Sequence, residues 1–331
     1  MPESTVKARG SGARGYGLIA AAACCWGASA ALGRAMFTGR VAHPVSPLVL
    51  TQMRITLAAL VLLAALAAAR RGAIFLPARQ AWAAVSIGIV GMTASNYFYY
   101  LAIERTCVAV AIIIQYTAPI WVLLYLVARG RQRATPTRLA AVALALAGIA
   151  LVLGVASAGL RLFTSAGGLD AIGVCGALLA AFAFAYYNIA GERLVARADP
   201  ILVSLYMLVG AAVFMLAVHP PWLIWRAHYG AAEWRFFGEF SLLATLVPTL
   251  LYISGLRILD PTRAVVTSCL EPVSGILLAA VFLGEQLGWT KALGVACVLA
   301  AIVLVQRPSG ADAGVRCAAA PNGTGSPGRL A

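Results

Sequence analysis

Long apolar stretches separated by short connections recur along nearly all of this chain, and they constrain its fold more than any other feature. Of its 331 residues, 62% are hydrophobic and only 11% are charged. A soluble domain usually carries about 25% charged residues. A helix needs roughly 20 mainly apolar residues to cross a bilayer. The pattern therefore predicts an all-α integral membrane protein.

The apolar stretches predict ten transmembrane helices. Their approximate bounds are 16–36, 48–69, 80–101, 107–127, 136–156, 169–190, 200–218, 240–257, 263–283 and 289–306. The connection 219–239 is rich in Trp and Phe, and we interpret it as a segment at the membrane interface. Residues 1–15 are predicted to form a polar cytoplasmic tail, and residues 307–331, rich in Gly, Ala and Pro, a disordered one.

The positive charges are distributed unevenly between the two sides of this ten-span arrangement. With the N-terminus inside, 17 of the 25 Lys and Arg residues fall on the inner side, 7 on the outer side, and Arg54 lies within a span. Cytoplasmic connections carry an excess of Lys and Arg. The distribution predicts a plasma or inner-membrane protein with both termini in the cytoplasm. It also explains the net charge of +14 without a nucleic-acid partner.

The two halves of the chain are similar to each other. Shifting residues 99–152 by 153 positions places them on 252–305 without a gap, and Pro119 then meets Pro272 while Tyr99 meets Tyr252. Five spans per half is an odd number, so the second half must cross the membrane in the opposite sense. Inverted repeats are typical of secondary transporters. The predicted repeats are 16–157 and 168–306.

Several short motifs lie within the predicted spans or at their ends. These are Trp26-Gly27, Arg54, Ala118-Pro119, Leu270-Glu271-Pro272 and Leu283-Gly284-Glu285. In these motifs the chain resembles the EamA-like family of the drug/metabolite transporter superfamily. The resemblance implies a ten-helix carrier for small metabolites, often an exporter. The first half departs from the pattern, because Ala118 stands where the second half has Glu271.

Glu271 is the clearest candidate for a functional charge, because charges inside spans are costly and usually face a cavity or a partner. Burial favours the neutral form of a carboxyl group, so Glu271 is a candidate proton site. The alternative is that Glu271 only satisfies backbone groups freed by Pro272. Pro119 and Pro272 are candidate hinges or static kinks. Arg54 either snorkels to the interface or binds an anionic group or Glu271.

Polar and aromatic side chains within the spans are candidates for lining a solute cavity. They are Trp26, Asn96, Tyr99, Tyr100, Gln115, Tyr116, Tyr187, Asn188, Thr249, Tyr252, Ser268 and Glu271. The alternative for each is a hydrogen bond between helices, which polar residues in membranes commonly make.

The sequence also indicates which functions to exclude. It contains no phosphate-binding loop and no metal-ligand motif, so we expect no cofactor, no metal and no enzymatic activity. We expect a secondary transporter that exports a small organic solute, such as an amino acid, an amine or a drug-like molecule, through the lipid bilayer. Two similar halves of opposite orientation give a route to alternating access. The alternatives are a membrane channel and a membrane protein without transport activity.

Overall fold

The computed structural model describes residues 3–37, 47–69, 75–106, 108–154, 170–226, 229–283 and 288–306. Every regular element within these residues is a helix. The all-α class predicted from the sequence is therefore confirmed for the described part of the chain. The C-terminal tail predicted over 307–331 lies outside the described residues.

The helices of the first half come in the order predicted, although two spans are divided into shorter elements. They are α1 (Glu3–Phe37), α2 (Pro47–Ala69), α3 (Ala78–Ser86), α4 (Ala94–Arg105), α5 (Val108–Gln115), α6 (Ala118–Ala128) and α7 (Pro136–Val152). A wider π-helical turn, Ile87–Thr93, joins α3 to α4 without a break.

The second half repeats this order. Its helices are α8 (Ala171–Val195), α9 (Pro200–Val218), α10 (Pro221–Trp225), α11 (Ala231–Ser241), α12 (Val247–Leu256), α13 (Pro261–Ser268), α14 (Leu270–Leu283) and α15 (Trp289–Gln306). A second π-helical turn, Leu242–Leu246, joins α11 to α12.

Short polar residues fix where several of these helices begin. The Asp170 carboxylate accepts a hydrogen bond from the Ile172 amide at 2.9 Å, and the Asp199 carboxylate accepts one from the Ile201 amide at 2.8 Å. Asp260 caps α13 in the same way through the Arg263 amide. Each cap satisfies a backbone N–H that would otherwise lack a partner at the helix start.

Six helices are long and apolar enough to cross a membrane, judged by length and composition within the described residues. They are Leu48–Ala69, Val110–Ala128, Ala171–Val195, Pro200–Val218, Ala231–Leu256 and Trp289–Gln306. The fifth predicted span appears as the shorter apolar helix Pro136–Val152. The first, third and ninth predicted spans are helical but do not belong to this group. The count of ten spans therefore stays a prediction.

Two helices begin earlier than the sequence predicts. α1 begins at Glu3, in the stretch expected to be a polar tail, and no proline interrupts it before Phe37. α11 begins at Ala231, within the connection expected to lie at the interface, because Phe237 and Phe240 are buried in a cluster with residues of α2. The helix therefore extends into the connection 219–239, and the interfacial position of that connection stays a prediction.

Equivalent helices of the two halves make equivalent contacts. α1 packs on α12, α13 and α14, and the corresponding helix of the second half, α8, packs on the equivalent helices α4, α5 and α6. α2 packs on its counterpart α9, and α7 packs on its counterpart α15. Each half thus covers the other with equivalent helices, which is the packing expected of two related repeats.

Close approach between helices depends on glycine at two of these interfaces. Gly148 of α7 and Gly294 of α15 face each other, and a Cβ atom on Gly148 would lie 2.8 Å from the Gly294 carbonyl oxygen. Gly27 of α1 lies against α14, where a Cβ atom would come 2.5 Å from the Glu271 carbonyl oxygen and 2.7 Å from the Gly275 nitrogen. Small residues let membrane helices approach closely.

A substitution of Gly27 tests this contact. We expect Gly27→Ala to lower the melting temperature of the detergent-purified protein, because overpacking of this kind costs about 1–3 kcal/mol. Gly17→Ala in the same helix is the control, since nothing lies within 4 Å of a Cβ atom there. The control should leave the melting temperature unchanged or raise it. Equal effects of the two substitutions would contradict the packing.

Candidate functional site

The two spans that contain Pro119 and Pro272 are broken in the middle. α5 ends at Gln115 and α6 begins at Ala118, while α13 ends at Ser268 and α14 begins at Leu270. Proline has no amide hydrogen, so Pro119 and Pro272 each remove one bond of the helical ladder. The two breaks occupy equivalent positions in the two halves.

Side-chain hydroxyls bond to backbone carbonyl oxygens close to these breaks. The Thr117 hydroxyl donates to the Ile114 carbonyl oxygen at 2.6 Å, and the Ser268 hydroxyl donates to the Val265 carbonyl oxygen at 2.8 Å. The Ser274 hydroxyl donates to the Glu271 carbonyl oxygen at 2.8 Å. Backbone that is irregular at membrane depth is tolerated where such partners exist or where it lines a cavity.

The two π-helical turns are also equivalent between the halves. Shifting Ile87–Thr93 by 153 positions places it on 240–246, which contains the second turn, Leu242–Leu246. The Thr93 hydroxyl donates to the Gly88 carbonyl oxygen, five residues earlier, at 3.1 Å. Such turns occur frequently at functional sites.

A cavity of about 560 Å³ lies between the two halves, bounded by both broken helices and both π-helical turns. This volume is in the range of small-molecule sites, roughly 300–1,000 Å³. Most of the wall is apolar or aromatic. The aromatic side chains of the wall are Trp26, Tyr99, Tyr100, Tyr116, Phe184, Tyr187 and Phe240.

Much of the wall consists of residue pairs that occupy the same position in the two repeats. These pairs are Gly91 and Ala244, Met92 and Thr245, Asn96 and Thr249, Ile112 and Val265, Ala118 and Glu271, and Pro119 and Pro272. Members of each pair are 153 residues apart. The cavity therefore lies at the interface between the two repeats. Transporters built from two repeats bind their solute at this interface.

Arg54 is the one positively charged residue of the described lining. Its Nη2 donates to the Asn96 Oδ1 at 2.5 Å, and the Asn96 Nδ2 donates to the Met92 carbonyl oxygen in the π-helical turn at 2.7 Å. Its Nε is buried and has no hydrogen-bond partner among the described residues. Arg54 is thus held in the wall by Asn96, with donor capacity left over.

Glu271 is the one acidic residue of the described lining. It lies in the first turn of α14, the second half-helix of its broken span, where the positive end of the helix dipole favours negative charge. Its side chain is hydrogen-bonded to Tyr116, next to the break in the other half, and it interacts electrostatically with Arg54. Of the three alternatives for Arg54, the structure shows its side chain in the cavity wall, bonded to Asn96, and both a role as partner of Glu271 and a role as ligand for an anionic group are compatible with that position.

Nine of the twelve residues predicted for the cavity lie in its wall. They are Trp26, Asn96, Tyr99, Tyr100, Gln115, Tyr116, Tyr187, Thr249 and Glu271. Both candidate hinge residues, Pro119 and Pro272, also line the cavity, and so does Arg54.

The other three predicted residues lie behind the wall and bond to one another. The Tyr252 hydroxyl donates to the Asn188 Oδ1 at 2.6 Å and is also hydrogen-bonded to Ser268. Tyr252 is fully buried beneath two rings of the wall, 5.2 Å from Trp26 and 5.8 Å from Tyr187 between ring centroids. The structure thus differs from the prediction here, because burial makes these polar groups satisfy each other across helices.

Several lining residues were absent from the sequence prediction. Phe240 lies in the helix that begins earlier than expected, and Phe184 carries no polar atom to draw attention to it. Met92 projects from the first π-helical turn, which changes the face that its side chain presents. Repeat alignment is the signal that pairs Thr245 with Met92 at the same depth.

One end of the bundle is closed by a polar cluster that joins the two halves, which we name the Gln132 network. Gln132 donates to the Asp260 Oδ1 at 3.0 Å and accepts from the Thr262 hydroxyl at 2.8 Å. Arg131 forms an ion pair with Glu192 at 2.8 Å. Gln132, in the connection between α6 and α7, and Thr262, in the first turn of α13, are both buried.

The cavity extends towards the opposite end of the bundle. Gln132 precedes the start of α7, whereas Leu153, which lines the cavity, follows its end. α7 has 17 residues, so these two points are roughly 25 Å apart along its axis. None of the residues of the Gln132 network lines the cavity.

A fold of apolar helices in two related halves, with a cavity between them, is that of a multi-pass membrane transporter. Comparison with known sequences gives the particular family. The profile of the EamA-like transporter family matches residues 13–154 and 171–307. The chain belongs to this family of membrane transporters, and membership implies a small-molecule solute.

Individual relatives agree with this assignment. An uncharacterized transporter of Bacillus subtilis, YcbK, is 24% identical over 64% of this chain and 68% of its own length. An uncharacterized transporter of Archaeoglobus fulgidus is 24% identical over 66% of this chain and 76% of its own length. A solved crystal structure matches 87% of this chain and 95% of its own with a TM-score of 0.69 at 21% identity, which shows the fold.

Removal of the buried Tyr252 hydroxyl tests whether the residues behind the wall contribute to stability and not to solute binding. Tyr252→Phe leaves the Asn188 Oδ1 without its donor, and an unsatisfied buried group of this kind costs about 1–3 kcal/mol. We expect a lower melting temperature and an unchanged affinity for any solute that binds the wild type. Tyr97→Phe, at a side chain that is half exposed, is the control. A loss of affinity without a loss of stability would place Tyr252 in the site.

Proposed function

We propose that this protein is a secondary transporter that exports a small organic solute across the plasma or inner membrane by alternating access of two inverted repeats. The observation that supports the proposal is the position of the cavity. It lies between the halves, on residue pairs that the repeats share, and both broken helices contribute to its wall. A solute bound there contacts the two elements that must move relative to each other.

Alternating access also needs one closed end whose contacts can be broken and replaced. The Gln132 network supplies such contacts, because each of its bonds joins the first half to the second. With both termini in the cytoplasm, this network is at the cytoplasmic end and the cavity opens outwards. Rocking of the halves would separate Gln132 from Asp260 and close the opposite end.

The solute in this proposal is an amino acid, an amine or a drug-like molecule. The mainly apolar wall with a few polar groups suits an amphipathic molecule. Glu271 is the candidate proton site, since its carboxyl group faces the cavity and has Tyr116 as a hydrogen-bond partner. A proton released there on one side of the membrane would couple solute movement to the proton gradient.

Transport is tested with the purified protein in liposomes. Uptake of amino acids, amines and small drug-like molecules is measured with and without a pH gradient. We expect saturable flux of at least one solute class, and flux that rises linearly with concentration would indicate a channel instead.

Proton coupling is tested with a variant of the candidate proton site. We expect Glu271→Gln to abolish gradient-driven flux, while Glu239→Gln, at an exposed carboxylate, leaves it intact. If Glu271→Gln leaves gradient-driven flux unchanged, proton coupling at this residue is wrong.

The closed end is tested by removing the central side chain of the Gln132 network. Gln132→Ala loses two hydrogen bonds worth about 1 kcal/mol each, so we expect local opening to increase by roughly tenfold or more. Hydrogen–deuterium exchange of residues 257–263 measures this opening. Arg235→Ala, which removes an exposed ion pair elsewhere, serves as the control. Exchange that is equally fast in both variants would show that the network does not hold this end closed.

A further inference from the structure

The charges of the cavity come from different repeats and are not related by the repeat. Arg54 belongs to the first half, and its counterpart 153 residues later is the buried Met207. Glu271 belongs to the second half, and its counterpart is Ala118. The described wall thus carries a single positive and a single negative side chain, one from each half.

These two charges face a common space without neutralising each other directly. Arg54 and Glu271 interact electrostatically, but no direct ion pair joins them in the described part of the chain. Arg54 instead binds the neutral Asn96, and Glu271 binds the neutral Tyr116. A charge in a largely apolar wall is costly when its partner is only a neutral group.

We infer that the solute is a small zwitterion with an apolar body, whose anionic group binds Arg54 and whose ammonium group binds Glu271. This inference rests on the proposed transport function and names the class of its solute. A zwitterion supplies a partner to both charges, whereas a solute with one charge satisfies one and leaves the other unpaired. The anionic group is a carboxylate, since the planar guanidinium presents parallel donors that match it.

The surroundings of the two charges fit the rest of such a molecule. The Arg54 Nε is a buried donor without a partner among the described residues, so the guanidinium has donor capacity that its bond to Asn96 does not use. Aromatic rings such as Trp26 and Tyr187 line the same cavity. They can pack against an apolar body, and an ammonium group can lie over the face of such a ring. The volume of about 560 Å³ accommodates a molecule of this size.

Three solutes with one shared apolar body test the inference on the wild-type protein. Leucine carries both charges, isopentylamine lacks the carboxylate, and 4-methylpentanoate lacks the ammonium group. Binding is measured by titration of the purified, detergent-solubilised full chain at neutral pH. We expect leucine to bind at least about tenfold more tightly than either analogue, because each charged hydrogen bond contributes about 1.5–3 kcal/mol.

Variants then assign each charge of the solute to its residue. Arg54→Gln should weaken leucine and 4-methylpentanoate by about tenfold or more and leave isopentylamine nearly unchanged. Glu271→Gln should weaken leucine and isopentylamine and leave 4-methylpentanoate unchanged or tighter. Arg54→Lys should restore part of the leucine affinity. Arg235→Gln, in an exposed ion pair, controls for a general effect of removing charge.

The outcomes separate this inference from the transport function. Tighter binding of isopentylamine or 4-methylpentanoate than of leucine would overturn the zwitterion and leave a carrier of cations or anions. Absence of binding for all three would also overturn it, while saturable flux of another solute in liposomes would still support transport. Because the wild-type comparison needs no substitution, a variant that fails to fold does not remove the test.

Discussion

The membrane interior offers no water to bond with, so every backbone group at that depth needs a partner within the protein. The rest of this structure depends on that constraint. It explains why each break beside Pro119 and Pro272 is accompanied by a hydroxyl, from Thr117 or Ser268, that bonds to a nearby carbonyl oxygen. It also explains why the breaks face a cavity. Among the described residues, both breaks and both π-helical turns border this cavity, where the protein has polar side chains and space to receive a solute.

Much of this arrangement was predictable from the sequence because its signals are local. Prolines within apolar stretches indicated the broken helices, and their equal spacing indicated the repeat. The π-helical turns were not predictable, since one extra residue in a turn leaves no mark in composition. Whether Asn188 and Tyr252 line the cavity or lie behind its wall is decided by tertiary packing. Their helical faces are polar, but whether such a face meets a cavity or another helix is decided by neighbours far along the chain.

The exchange of contacts between the halves connects the packing to movement. α1 rests on helices of the second half, and α8 rests on the equivalent helices of the first. A rearrangement that repacks one of these interfaces can be mirrored at the other, so two conformations of similar energy are expected. Gly27 lies at such an interface, against the backbone around Glu271, so the position of α1 is linked to the residue that carries the negative charge.

The unequal charges of the repeats have a consequence for how such a molecule arises. Two identical halves would place the same side chain at both members of every pair in the wall. Such an assembly must carry its charges in even numbers, with like facing like, and it could hold two arginines or two glutamates but never one of each. The pairing of Arg54 with Met207 and of Glu271 with Ala118 therefore requires halves that differ in sequence. Divergence of the halves gave this cavity a polarity that symmetry forbids.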